Sequence, residues 1–157
     1  MVETPKCTCG HHGVMNKKEK IIFACSGASN VGELSNAAAV KLTKEGFGNK
    51  ACTASLAIKT PSVMQRVENA GEIVVIDGCP VSCAKRIADN SGVKVDQYVI
   101  ITELGINKIS DMDILDEDIT KTVSAVKDGK SVCLDRKRED HKGSGCNCGC
   151  ESKQIKK

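Results

Sequence analysis

Aromatic side chains are nearly missing from this chain, which holds one Tyr, two Phe and no Trp in 157 residues. A core must therefore be built from Ile, Val, Leu, Met and Ala. Rings on which bare nucleotides could stack are not supplied, so no nucleic-acid partner is expected. Long apolar runs are also lacking, and nothing approaches the roughly 18 residues of a membrane span. The opening MVETPKCTCGHHG has no apolar stretch of the kind a secretory leader needs. The expectation is a cytoplasmic protein with no membrane partner. Charge of one sign does not dominate, since the formal net charge is +3, but it is unevenly spread. Lys6, Lys17 and Lys18 against Glu3 give +2 at the start. Seven Lys/Arg against three acids give +4 over 136–157, which leaves −3 for residues 19–135. A mildly acidic body with basic ends is no nucleic-acid groove.

Cysteine, by contrast, is abundant: ten residues. In a reducing compartment cysteines serve as ligands or catalysts more often than as disulfides. Composition divides the chain into a polar segment 1–19 with cysteine and histidine, a body 20–135, and a basic, cysteine-rich segment 136–157. The short polar ends lack the apolar residues to pack on their own.

Within the body, strand and helix patterns alternate. KIIFAC (20–25) is a short apolar run closed by SGASN, and the Ala-rich VGELSNAAAVKLTKEG has helical period and stops at Gly46. NKAC (49–52) reads as a weak strand. TPSVMQRVENAG reads as a helix with Thr60 as N-cap, Pro61 at the first helical position and Gly71 as the stop. EIVVID (72–77) is the clearest strand. It leads into CPVSCAKRIADNSG, a helix with Pro80 in its first turn and Gly92 at its end. QYVIIT (97–102) is the fourth strand, and Asp116 can cap the helix DEDITKTVSAVKDG. Strands joined through helices imply right-handed crossovers and a parallel sheet. The fold class expected is a small Rossmann-like three-layer α/β domain with a mostly parallel sheet of about four strands.

Cys25, Cys52 and Cys79 are each 27 residues apart, and each follows or ends a candidate strand. One strand–helix unit takes about that length, so the three share one phase, the carboxyl edge where open α/β sheets bind ligands. Cys83 lies four residues past Cys79, one turn into the helix, so its side chain is expected to share a face with that of Cys79. Four thiolates brought to one edge suit a tetrahedral Zn²⁺, with helix N-termini, Lys85 and Arg86 offsetting charge. Cys52 is the weak joint, because it falls at the wrong end of the sheet if it begins its strand. Free cysteine is also a common core residue, so plain packing competes with this reading.

FACSGASNVGELSN, Cys52, IDGCPVSCAKR and YVIITELGINK together resemble the DGC domain family, named for a central Asp-Gly-Cys, here Asp77-Gly78-Cys79. The resemblance covers about residues 20–130. It implies a zinc-binding domain whose four cysteine ligands are Cys25, Cys52, Cys79 and Cys83, and it says nothing of either end of the chain.

Other chemistries use the same residues. The same four thiolates could hold an iron–sulfur cluster, although cluster motifs more often concentrate three cysteines locally. Cys79 and Cys83 could form a redox thiol pair, giving a thiol-dependent or iron–sulfur oxidoreductase. A phosphatase-like loop needs Arg six residues after its cysteine, where this chain has Lys85. SGASNVGEL lacks the P-loop lysine and the dinucleotide glycines, and Gly27, Ser29 and Asn30 there fit plain turn and cap chemistry. Asp77 and Glu103 are the nearest candidates for a general base, and neither identifies a catalytic role. A second metal site is expected from Cys7, Cys9, His11 and His12 with Cys146, Cys148 and Cys150, since Cys-x-Cys pairs hold soft ions. His141 reads as exposed and Cys133 as a small packed residue. The partner expected is a metal ion, with a protein partner or second copy left open.

Overall fold

The computed structural model describes residues 18–131, and its element order is that of a doubly wound α/β domain. Strand β1 (Lys20–Ala24) leads to helix α1 (Asn30–Lys44), and β2 (Asn49–Lys50) to α2 (Thr53–Ala57) and α3 (Pro61–Asn69). Then β3 (Glu72–Asp77) is followed by α4 (Cys83–Asn90), and β4 (Gln97–Ile100) by α5 (Asp116–Lys127). The four strands are all parallel in the order β2-β1-β3-β4.

Both faces of the sheet are covered, which is why its central strands read as unbroken apolar runs. Side chains alternate across a strand. Ile22, Ala24, Val74, Ile76 and Val99 therefore meet α1 and α5 through Val31, Leu34, Ala38, Leu42, Val123 and Val126. On the other face Ile21, Phe23, Ile73, Val75 and Tyr98 meet Leu56 of α2, Ala84 and Ala88 of α4, and the apolar side of α3. Small alanines on α1 and α4 let these helices lie close to the sheet.

Turn chemistry closes the elements where the sequence placed it. Gly46 and Gly92 take positive φ (73° and 77°) just past α1 and α4, where a side chain would be strained. Thr60 is the N-cap position of α3 and Pro61 its first residue, although the threonine makes no side-chain cap bond.

Four expectations are corrected. The second strand stops at Lys50 rather than 52, because Cys52 caps the unforeseen helix α2. The fourth strand stops at Ile100, and Ile101–Leu104 form a 3-10 turn closed by Gly105 at φ 81°. The helix after β3 begins at Cys83, not at Pro80, since Ser82 is left-handed at φ 59° and breaks it from the preceding turn. Asp116 is the first residue of α5, and Leu115 holds its N-cap position without a side-chain bond. No helix among the described residues is long and apolar enough to cross a membrane.

Candidate metal centre

The sheet order makes β1 and β3 neighbours, while the chain leaves them for opposite faces, through α1 and α4. A crevice opens at such a switch point, beyond the carboxyl ends of the strands. Cys25 stands at the end of β1 and Cys79 two residues past β3, on its two lips. The Cys25 amide donates to the Ile76 carbonyl at 2.9 Å, carrying the parallel pairing one step beyond the strand. Its own carbonyl accepts from the buried Ser35 hydroxyl of α1. A Cβ placed on Gly27 would lie 3.6 Å from the Cys25 sulfur, so the SGASN loop folds back over the thiol.

Asp-Gly-Cys works here as three separate devices. Asp77, almost wholly buried, accepts from the Ala84 amide at 2.9 Å and the Lys85 amide at 3.0 Å, and so caps α4 from the last position of β3. Gly78 permits contact with α1, because a Cβ there would come within 2.7 Å of the Val31 carbonyl oxygen. Gly32 is tighter still, at 2.3 Å from the Gly27 carbonyl oxygen. Cys79 then stands half-buried against the α1–α5 core, and the Lys108 ammonium lies 3.5 Å from its sulfur. Cys83, the first residue of α4, is exposed.

Cys79 and Cys83 are thus not neighbours along a helix face, as expected, but the two ends of a turn through Pro80, Val81 and Ser82. That turn is pinned from β4. The Tyr98 hydroxyl donates to Ser82 Oγ at 2.8 Å, and Ser82 Oγ donates to the Pro80 carbonyl at 3.0 Å. Lys108 is held in turn by Asn30, whose side chain donates to the Asn107 carbonyl and accepts from the Ile109 amide, each at 2.9 Å.

The electrostatics report which thiols share a neighbourhood. Burial pushes the Cys25 thiol up from its ordinary value, and the charges of Asp77, Cys83 and Cys79 add to the effect, against the Gly78 amide. Cys52 differs. It is exposed, its sulfur accepts from the Ser55 amide at 3.4 Å as N-cap of α2, and bonds from Ser55 lower its pKa. Asp77 is raised by burial, opposed by the amides it caps and by Tyr98 and Lys85. Tyr98 is raised above its usual range by burial, with Asp77 contributing.

Cys25, Cys79 and Cys83 therefore all stand at the carboxyl edge, on the two lips of the β1–β3 crevice. Cys52 is at the same edge, tied there by Thr53, whose hydroxyl donates to the Ala24 carbonyl at 2.8 Å, but its thiol serves α2. The donor set, thiolates in a polar crevice, fits a soft ion. Among the described residues, however, no group of three or more His, Cys, Asp or Glu side chains is placed to hold a metal ion. Asp77 is a helix cap rather than a free base, and Glu103 is exposed with no bond to a cysteine. Cys7, Cys9, His11, His12, Cys133, His141, Cys146, Cys148 and Cys150 lie outside the described residues. Lys108, Ser35 and Tyr98 were not anticipated, and Asn30, read as turn and cap chemistry, also clasps the loop that carries Lys108. The ELGINK stretch contains Lys108, but no spacing rule ties it to Cys79.

The chain is similar to the anaerobic and virulence modulator AnvM of Pseudomonas aeruginosa, 30% identical over 88 residues that cover 56% of this chain and 67% of that protein. No solved structure matches it. The DGC domain model matches residues 21–126, more than half of the chain and the whole of the crevice, and the chain belongs to the DGC domain family.

Proposed function

We propose that this is a zinc-binding protein of metal handling or sensing, with Cys25, Cys52, Cys79 and Cys83 as its ligands. The observation that carries the reading is that Cys25 and Cys79 stand on the two lips of the β1–β3 crevice, with Cys83 at the far end of the turn that follows Cys79. Family membership supports a metal-binding role. Bound there, Zn²⁺ would supply a fixed positive charge that keeps the thiols deprotonated. This chain's own residues do the positioning. Gly78 and Gly32 bring two loops together, Asp77 and Tyr98 fix the Cys79–Cys83 turn, and Lys108 offsets thiolate charge beside Cys79.

Handling or sensing is favoured over a structural role on two grounds. The domain carries an apolar core on each face of its sheet and needs no metal to define it. Cys52 and Cys83 are exposed, so ligands are open to exchange. The name of the similar protein, an anaerobic and virulence modulator, accords with a regulatory role.

The test is elemental analysis with a visible spectrum on protein purified without oxygen, comparing wild type with Cys79→Ser. One zinc per chain, lost or weakened in the variant, is expected. Iron with the absorbance of a sulfide cluster would put the oxidoreductase reading first. A second reading, a thiol redox pair of Cys79 and Cys83, is favoured by the Lys108 ammonium beside Cys79. It requires a metal-free protein in which the two thiols oxidise reversibly to a disulfide.

A further inference from the structure

The turn between Cys79 and Cys83 serves a second surface besides the crevice. Pro80 and Ser82, which lie within it, also line a cleft of about 870 Å³. The rest of that cleft comes chiefly from α4 and from the segment 92–96 that leads into β4. Sites for small organic molecules have volumes of about 300–1,000 Å³, with mostly apolar walls and a few placed polar groups. Here Val93, Val95, Pro80 and Tyr98 supply apolar surface. Ser82 and Tyr98 are polar and almost wholly buried, 6% and 4% exposed, and are bonded to each other.

Charge narrows the class of ligand. Lys85, Arg86 and Lys94 put three positive charges on the walls, and Asp89 and Asp96 put two negative, which leaves +1. These charges are not equally engaged. The Lys85 ammonium is 2.6 and 2.7 Å from the two oxygens of Asp89. Asp96 accepts from the Ile73 amide at 2.8 Å and stands 3.9 Å from the ammonium of Lys94. The exposed Arg86 side chain makes no ion pair among the described residues. Its planar fork of donors matches a carboxylate in two parallel bonds. One uncompensated charge suits a monoanion, because the second charge of a dianion would meet Asp89 and Asp96.

We propose that this cleft binds a small organic monoanion, an apolar body ending in a carboxylate. Arg86 holds the carboxylate, and Val93, Val95 and Tyr98 receive the body. Filling the cleft also steadies the Cys79–Cys83 turn, since Pro80 and Ser82 belong to both. That turn is closed by the Ser82 amide, which donates to the Cys79 carbonyl at 3.0 Å, with Ser82 at left-handed φ 59°. A ligand packed against it adds contacts that only the closed turn offers, and the linkage is reciprocal. Neither half of the proposal requires a metal.

The experiment titrates full-length, reduced, metal-free protein with benzoate and follows the backbone amides by NMR. Saturable shifts are expected at Arg86, Val93, Lys94 and Val95. Acetate lacks the apolar body and benzamide lacks the charge, so each should bind about tenfold more weakly. Arg86→Gln should keep the fold, since that side chain is exposed, and weaken benzoate about tenfold. With benzoate saturating, hydrogen exchange at the Ser82 amide should slow about threefold. Shifts that do not saturate, or that fall elsewhere on the molecule, would overturn the site. Equal binding of benzoate and benzamide, or unchanged affinity in Arg86→Gln, would sink the carboxylate. Tighter binding of phenyl phosphate, which is doubly charged, would refute the choice of a monoanion. Unchanged exchange at Ser82 would break the link between cleft and turn. All of these readouts are taken without zinc, so they stand apart from the fate of the metal-binding reading.

Discussion

Two lips of one sheet edge are built in opposite ways. Past the ends of β1 and β3 the start of α1 is packed so closely on the two loops that Gly32 and Gly78 have no room for a methyl group, and Cys25 and Cys79 are half-buried. One strand further out, β2 is two exposed residues long, and Cys52 stands in solvent on a helix of five. The central pair is fixed by long strands on either side, with β1 and β3 paired over five positions. The outer strand pairs over two and has little to hold it. A site spread across both has a rigid part and a part that must give up its helix cap to join.

The sharpest way to break this contrast is at the rigid lip. Gly78→Ala places a methyl against the Val31 carbonyl, and overpacking of this kind costs about 3 kcal/mol. Urea unfolding should show that loss, whereas Ala at Thr53 beside Cys52 should cost about 1 kcal/mol for its single bond to Ala24. Equal costs would mean that the two lips are alike. Asp77→Ala removes the acceptor of two α4 amides, and about 2 kcal/mol should be lost by the same measurement. The Cys79–Cys83 turn should loosen with it, read as faster alkylation of Cys79.

Thiol reactivity sharpens the comparison directly. Cys52 is exposed with its pKa lowered, and Cys25 is half-buried with its pKa raised. In metal-free protein near neutral pH, iodoacetamide should modify Cys52 on the order of tenfold faster than Cys25, as followed by mass spectrometry. Equal rates would show that the crevice is open. The smallest effect lies at the far end of the sheet, where Glu19 pairs with Arg66 and bonds to Asn49. Burial works to raise Glu19, but those bonds outweigh it and its pKa is lowered. Its contribution to stability is therefore present above the ordinary carboxylate range and is lost as pH falls through the depressed folded value. Glu19→Gln should cost about 0.5 kcal/mol at pH 7, the pair being about a third exposed. The cost should vanish in acid, with no change in thiol reactivity.

Much of the rigid half was legible in the sequence because it repeats. Apolar runs at KIIFA and EIVVID, and glycines past α1 and α4, each follow from a local rule about strands or helix ends. The 27-residue spacing put Cys25, Cys52 and Cys79 in one phase without any knowledge of strand order. What was not legible depends on contacts between distant parts. That the helix after β3 starts at Cys83 is decided by Asp77 reaching forward to its amides and by Ser82 adopting left-handed φ. Lys108 meets Cys79 because Asn30, 78 positions earlier, clasps its loop. The short helix α2 has too few residues to show a period, and its cap is a cysteine, a residue that capping preferences do not mark.

Tyr98 has a use beyond the fold. It is the single tyrosine of a chain without tryptophan, and its hydroxyl is bonded to Ser82, between Cys79 and Cys83. Ultraviolet emission excited in this protein therefore comes almost entirely from one phenol ring in contact with the turn under study. The molecule carries its own optical gauge, and a titration of the crevice with metal or oxidant can be followed without any attached dye.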